Sequence, residues 1–390
     1  MKKQTQAIHT SYHRPDPYGA LSVPIYHAVA YEFPDAQEMS DAFCGRIDAP
    51  DYSRVENPTV THFEHRVKAL TGAEDVIAFN SGMAAISNAM MALTQSGRKL
   101  LSSRHLFGNT FSLLTQTLSR FGVGTKLCDL TDLEAVRQAV DDSVCCIFLE
   151  IVTNPQLEVA DLKALAAVAR ERGIPLVADT TAIPFTQFSA KDLGVDIEIV
   201  SSTKYISGGA TSLGGLIIDY GRFPAFRQRI RFEMLFNLGA YMTPQAAYMQ
   251  TLGLETLDAR YRVQAQNAQT LAERLTTLEP IRHVNYIGLP TNAYYSLARE
   301  QFGPTSGAML TIELADREAC FRFINRLQLI HRATNLFDNR TLAIHPASTI
   351  FGNFPPHQRA RMGVSDSVVR ISVGLEAVDD LFADIRQALS

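Results

Sequence analysis

The chain has 390 residues, 19% of them charged and 46% hydrophobic, with a net charge of −4, the balance of a globular protein of two domains or of one large domain with a smaller appendage. No basic run of five or more residues occurs, so a nucleic-acid or membrane-surface role has no electrostatic footprint, and no segment approaches the roughly 18 apolar residues of a membrane span. The five cysteines, Cys44, Cys128, Cys145, Cys146 and Cys320, are scattered and lack CxxC spacing, which argues against a disulfide framework or a zinc site.

Met1 to Gln6 has no apolar stretch behind it, so no signal peptide is expected and the cytoplasm is the expected compartment. Residues 1–60 are rich in Pro, Tyr, His and Asp, with weak periodicity, and read as an extended arm toward a neighbouring subunit. From residue 61 helix and strand alternate. Thr61 to Leu70 and Ser81 to Leu93 read as helices, the second with Met83, Ile86, Met90 and Leu93 on one face. Gly108 to Phe121 and Ala160 to Arg172 read the same way. Short apolar runs at Val76 to Phe79, Lys99 to Ser102, Val144 to Leu149, Pro175 to Ala178, Ile197 to Val200 and Leu216 to Ile218 read as strands, and Cys145 and Cys146 as buried thiols within one of them. Buried strands separated by helices predict a mostly parallel sheet covered on both faces. A long helix, Met249 to Leu278, leads out of it. Strands at Met309 to Leu314 and Val369 to Val373, with helices at Glu318 to Leu327 and Val378 to Leu389, predict a smaller α/β domain. The expected division is an arm at 1–60, a large cofactor-binding domain at 61–256 and a small domain at 257–390.

Three positions carry the chemistry. Asn80-Ser81-Gly82-Met83 leaves a strand and opens a helix, where N–H groups and the dipole favour an anion and Gly82 permits close approach. Taken singly, Ser81 is equally an ordinary cap. Asp179 ends an apolar run, at the carboxyl edge where open α/β sheets bind ligands; it reads as a partner for a protonated ring nitrogen or as a helix cap with Thr180 and Thr181. Lys204 lies in Ser201-Ser202-Thr203-Lys204-Tyr205, after the strand Ile197 to Val200 and before a glycine-rich loop. There a partly desolvated amine has a lowered pKa and can form a Schiff base, although alone it reads as well as a loop lysine. An anionic anchor, a lysine and a phosphate cradle on one sheet edge are the parts of a pyridoxal 5′-phosphate (PLP) site.

In order along the chain, Tyr52-Ser53-Arg54 with Asn57-Pro58-Thr59, Ser81-Gly82-Met83, Asn154-Pro155, Asp179, Ser201-x-Thr203-Lys204-Tyr205, His345-Pro346-Ala347-Ser348 and Val369 to Glu376 resemble the motifs of the Cys/Met-metabolism (trans-sulfuration) PLP enzymes. The resemblance runs from about Ser22 to the C-terminus. It implies the PLP-dependent transferase fold of type I (aspartate aminotransferase-like), with a mostly parallel seven-stranded sheet and a smaller C-terminal α/β domain. By position, Lys204 would hold PLP and later move protons between substrate carbons, with Asp179 on the ring nitrogen. The segment Ser81 to Met83, with Ser201 and Thr203, would bind the phosphate. Tyr52 and Arg54 would reach the phosphate of the neighbouring subunit, so a homo-oligomer, a dimer of dimers, is implied. Arg370 would pair with the substrate α-carboxylate, and Asn154 would touch the cofactor or that carboxylate.

Departures narrow the activity. Family members commonly stack a tyrosine on the ring; here Phe107 can stack but moves no proton. O-succinylhomoserine sulfhydrylase-like members resemble it in this. The cysteine and the Lys-Asp pair of methionine γ-lyases are replaced by Asn109 and by Phe236-Asn237, and the Glu-Ser of cystathionine γ-lyases by Thr334-Asn335. Asn335 resembles the NxGD-type segment of O-acylhomoserine sulfhydrylases, with Phe337 at its glycine. The resemblance therefore implies γ-replacement on an O-acylhomoserine by sulfide or a thiol, giving homocysteine or a thioether in methionine biosynthesis. A γ- or β-lyase on methionine, cystathionine or cysteine is the alternative. A PLP-binding regulator without catalysis is a third reading, opposed by the intact Lys204, Asp179 and Arg370. No metal, nucleic acid or membrane partner is expected.

Overall fold

The computed structural model describes residues 1–10 and 16–390; of the arm expected over 1–60, residues 11–15 lie outside the described residues. Seven strands form the large sheet: β1 (Asp75–Phe79), β2 (Lys99–Ser103), β3 (Gly124–Cys128), β4 (Val144–Glu150), β5 (Leu176–Asp179), β6 (Ile197–Val200) and β7 (Gly215–Asp219). Their order is β1-β7-β6-β5-β4-β2-β3. Pairs from β6 to β3 are parallel, whereas β7 runs antiparallel to both β6 and β1. The exception has a simple cause. A loop rather than a crossover helix joins β6 to β7, so the chain turns back on itself.

Alternate residues of each strand face opposite sides, and the buried core divides accordingly. Ile77, Phe79, Phe148, Val177, Ile197, Ile199 and Ile217 pack with the helix Gly82–Leu93 on one face. Val76, Ala78, Ile147, Leu149, Leu176, Ala178 and Ile218 pack on the other with the helix Leu162–Glu171, which is capped by Asp161. Of the two thiols expected inside, Cys146 is buried and Cys145 only partly so.

The helix Pro244–Leu275 starts under the Thr243 cap with proline in its first turn. It packs on the helix Pro58–Thr71 at one end and on the helix Val378–Leu389 and the second sheet at the other. That sheet is wholly antiparallel, in the order β10 (Leu342–Ile344), β11 (Val368–Ser372), β9 (Met309–Glu313), β8 (His283–Asn285).

Three local expectations change. Lys3–His9 is helical, not extended; Ala7 is buried and Lys3 donates to the carbonyls of Phe185 and Phe188. The single helix expected over 108–121 is a succession of α-helix (Gly108–Ser112), π-turn (Leu113–Thr117) and 3₁₀ turn (Leu118–Phe121). The strands β3, β8 and β10 escape periodicity because they are short or mixed in polarity. No helix among the described residues is long and apolar enough to cross a membrane.

Candidate active site

The carboxyl ends of β1, β4, β5 and β6 and the amino end of β7 meet on one edge of the large sheet. A cleft of about 250 Å³ opens there. Ser81, Gly82, Met83, Phe107, Asn154, Asp179, Ser201, Thr203, Lys204, Asn335 and Arg370 all line it, although they span almost 300 positions of sequence. Tyr52 and Arg54 do not line it. They sit together at the surface, the Arg54 guanidinium 5.5 Å from the centre of the Tyr52 ring and bonded to the Phe236 carbonyl.

At the Ser81–Met83 end of the cleft, β1 turns directly into a helix. Ser81 caps it, its Oγ accepting the Ala84 N–H at 3.1 Å. A Cβ on Gly82 would stand 2.7 Å from the Ser201 Cβ, so only glycine lets the two segments meet. Thr203 is tied to Gly214 in both directions, donating at 3.1 Å and accepting at 2.9 Å, which fixes the loop carrying the lysine.

Lys204 Nζ donates to Asn335 Oδ1 at 2.7 Å. Burial, and then the charge of Arg370, pull this amine down to about 8, so an appreciable fraction is unprotonated and nucleophilic near neutral pH. Asp179 keeps some surface open but stands deep in the protein, and loss of solvation pushes its carboxyl up. Its Oδ1 accepts the Thr181 N–H at 3.0 Å, so it caps a turn as well as facing the cleft.

Arg370 lies on β11, is 3% exposed, and donates through Nη1 to Asn154 Oδ1 (3.2 Å) and through Nη2 to the Asn335 carbonyl (3.0 Å). Its Nε is buried without a hydrogen-bond partner. Burial lowers its pKa, yet a guanidinium remains charged at neutral pH. A buried cation with an orphaned donor calls for an anion. Asn154 precedes a cis peptide bond to Pro155.

PLP fits this cleft. The capped helix start pressed on Ser201 suits a phosphate, and Asp179, costly to ionise alone, gains from a protonated ring nitrogen. Phe107 offers a ring face, and Lys204 offers an amine of lowered basicity. The buried, unpartnered Nε of Arg370 remains able to donate to an anion beside the ring.

Sequence reasoning missed Glu150. It ends β4 one residue beyond the apolar run, in register with Asp179, and it lines the cleft; equal strand lengths on a parallel sheet would have pointed to it. Phe337, at the family's glycine, has φ +57. It is buried and stacked on Tyr205 with ring centres 4.0 Å apart and 7° between planes. That contact offsets the roughly 1 kcal/mol or more of a left-handed residue. His345 is held by Ser348 and by the Asp366 carbonyl, and is structural. Among the described residues no group of three or more His, Cys, Asp and Glu is placed to hold a metal ion.

The chain is similar to known proteins over nearly its whole length. A family model described as Cys/Met metabolism PLP-dependent enzyme matches residues 4–390. The L-methionine gamma-lyase of Pseudomonas putida is 37% identical over 388 residues, which cover 99% of this chain and 96% of that one. The O-succinylhomoserine sulfhydrylase of Pseudomonas aeruginosa is 37% identical over 379 residues, covering 97% and 93%. A solved structure of an O-acetylhomoserine (thiol)-lyase from Campylobacter jejuni, which carries N′-pyridoxyl-lysine-5′-monophosphate, superposes with a TM-score of 0.96 at 31% identity over 100% of both chains.

Proposed function

The chain belongs to the Cys/Met metabolism PLP-dependent enzymes, and on that premise we propose that it catalyses γ-replacement on an O-acylhomoserine, with sulfide or a thiol as the incoming nucleophile. The observation that carries this reading is the lining of the cleft. The chain's own described residues bring no tyrosine to it, Phe107 lining it instead, and the Tyr52 that a neighbour's arm would add belongs at the phosphate, away from the leaving group. A carboxylate leaves from the γ-carbon without strong acid help, whereas a thiolate leaves better when protonated.

PLP, when bound, would supply the electron sink that makes the α- and β-protons of the substrate acidic. Arg370 would grip the substrate α-carboxylate with its fork, held in place by Asn154 and Asn335. Lys204 Nζ would take and return protons at the substrate carbons, and its bond to Asn335 Oδ1 gives it a resting position when it is free. Asp179 would carry the negative charge facing the ring nitrogen. Segment Ser81 to Met83 with Ser201 and Thr203 would hold the phosphate.

A substrate panel tests the reading. Acetyl- or succinylhomoserine with sulfide should turn over with a kcat/KM at least about 100-fold above elimination from methionine or cystathionine. The variant Phe107→Tyr should narrow that ratio by restoring a proton donor. Faster turnover of methionine alone by the wild type would favour the lyase reading, and binding of PLP without turnover of any substrate would favour a regulator.

The Tyr52–Arg54 pair, which lies outside its own chain's cleft with the Tyr52 ring exposed, supports an assembly in which each arm completes a neighbour's phosphate site. The variants Arg54→Ala and Lys204→Ala, each impaired alone, should recover activity when their subunits are mixed and refolded together, since one site of a hybrid dimer would have both groups intact. No recovery, with hybrid formation verified by mass spectrometry, would show that each subunit uses its own arm.

A further inference from the structure

Glu150 has no part in the reaction outlined above, yet its carboxyl joins two loops that do. Its Oε1 accepts the Phe107 N–H at 2.7 Å, and the backbone N–H of Asn154 is near enough to the same carboxyl to favour its charge. The Phe107 loop follows β2 and the Asn154 turn follows β4; at their outer ends the two are joined by the His105–Glu158 pair, and the Glu150 carboxyl is the link on the cleft side. Asn154 in turn holds Arg370. The Phe107 loop is fixed from its other side by close packing, since a Cβ on Gly108 would meet the Ile350 carbonyl oxygen at 2.6 Å. Glu150 and Asp179 are register partners on adjacent parallel strands, roughly 4.8 Å apart at the backbone. Both side chains line the same cleft, and two like charges there cannot both ionise cheaply away from water.

We propose that Glu150 is a positioning residue that locks the ring-stacking Phe107 and the carboxylate-gripping Asn154–Arg370 pair into one geometry, and that it does so as an uncharged carboxyl, leaving the negative charge to Asp179. The inference rests on the PLP reading. The electrostatics agree with it: burial, and then the charge of Asp179, push the Glu150 carboxyl up to about 8. The charged groups sharing the cleft are Asp179 from β5, Lys204 from the loop after β6 and Arg370 from β11. His105, on the Phe107 loop, is paired with Glu158 at 2.5 Å. The sign of the pH effect follows. Between about pH 4.5 and about pH 8 the folded chain keeps a proton on Glu150 that the unfolded chain has lost. Its contribution to stability therefore falls through that window and is level above it.

The test uses Glu150→Gln, which keeps an acceptor oxygen and cannot ionise, and Glu150→Ala, which leaves the Phe107 N–H unsatisfied and removes the carboxyl beside Asn154. PLP affinity and substrate KM of the glutamine variant should stay within about 5-fold of wild type, and those of the alanine variant should worsen about 10-fold or more, KM moving more than kcat. The melting temperature of the cofactor-free glutamine variant, relative to wild type, should rise from pH 5 to pH 8 and then level off. The proposal is overturned if glutamine is as damaging as alanine, if alanine matches wild type, or if the melting difference is independent of pH. Should the alanine variant fail to fold, Glu150→Asp, too short to span both loops, takes its place against glutamine. A wild-type protein that binds no PLP would sink the cofactor reading instead, while the melting comparison would still judge Glu150.

Discussion

Replacing Lys204 by alanine should reduce turnover at least about 1,000-fold and abolish fixation of PLP by borohydride. The reason is that one atom serves twice. Nζ is the amine that would bind the cofactor, and it is also the base that would shuttle protons at the substrate. General acid–base catalysis alone typically contributes about 100- to 10,000-fold, and loss of the covalent anchor adds to that. Arginine at this position should not rescue, because a guanidinium does not deprotonate near neutral pH. Folding should be little affected, since Lys204 bonds to Asn335 alone among the contacts described above, and removing a half-buried amine of lowered basicity relieves a desolvation cost. Peptide mapping of borohydride-reduced wild type should find the label on Lys204. A label on another lysine, or an alanine variant retaining a tenth of wild-type turnover, would refute the assignment.

The second large effect is expected at Arg370. Truncating one member of a buried, hydrogen-bonded charge pair costs about 2–5 kcal/mol, roughly 30-fold to several thousand-fold in affinity at about 1.4 kcal/mol per tenfold. Arg370→Ala should therefore raise KM for the amino-acid substrate by that factor while PLP binding changes far less, because the phosphate and ring contacts lie on the large sheet and Arg370 lies on β11 of the small one. Lysine should recover only part of the loss. It restores the charge but not the fork that holds Asn154 and the Asn335 carbonyl together. A substrate ester, lacking the carboxylate charge, should discriminate poorly between wild type and variant. Equal losses for acid and ester would mean that Arg370 supports the cleft structurally and does not bind the carboxylate.

The two cases differ in how they could be foreseen. Asp179 ends a short, mostly apolar strand and Lys204 follows another by four residues, and in a parallel sheet that position in sequence is already a position in space: the carboxyl edge. Ser81 and Gly82 follow the same rule through a helix cap. Local chemistry therefore predicted the cofactor, the sheet and these anchors, because each depends on residues a few positions apart. The ordered motifs extended this to Arg370, Asn154, Ser201 and Thr203.

Tertiary structure decided what depends on distant segments meeting. Arg370 reaches the cleft only because β11 of the small sheet comes against the turn after β4, where it meets Asn154. Asn335 touches Lys204 from 131 positions away. Glu150 looks like the polar end of a strand until the register sets it beside Asp179 and two loops close onto its carboxyl. Phe337 violates the local preference for glycine at φ +57, and stacking on Tyr205, a long-range contact, overrides that preference. Helix Lys3–His9 forms because Ala7 and Lys3 find burial and acceptors on other segments, where seven residues alone are too few to sustain a helix. Periodicity and motif spacing encode interactions within one element. Burial, the shifted basicity of Lys204 and the proton proposed to stay on Glu150 arise from the field of all the elements at once, and only the folded chain assembles that field.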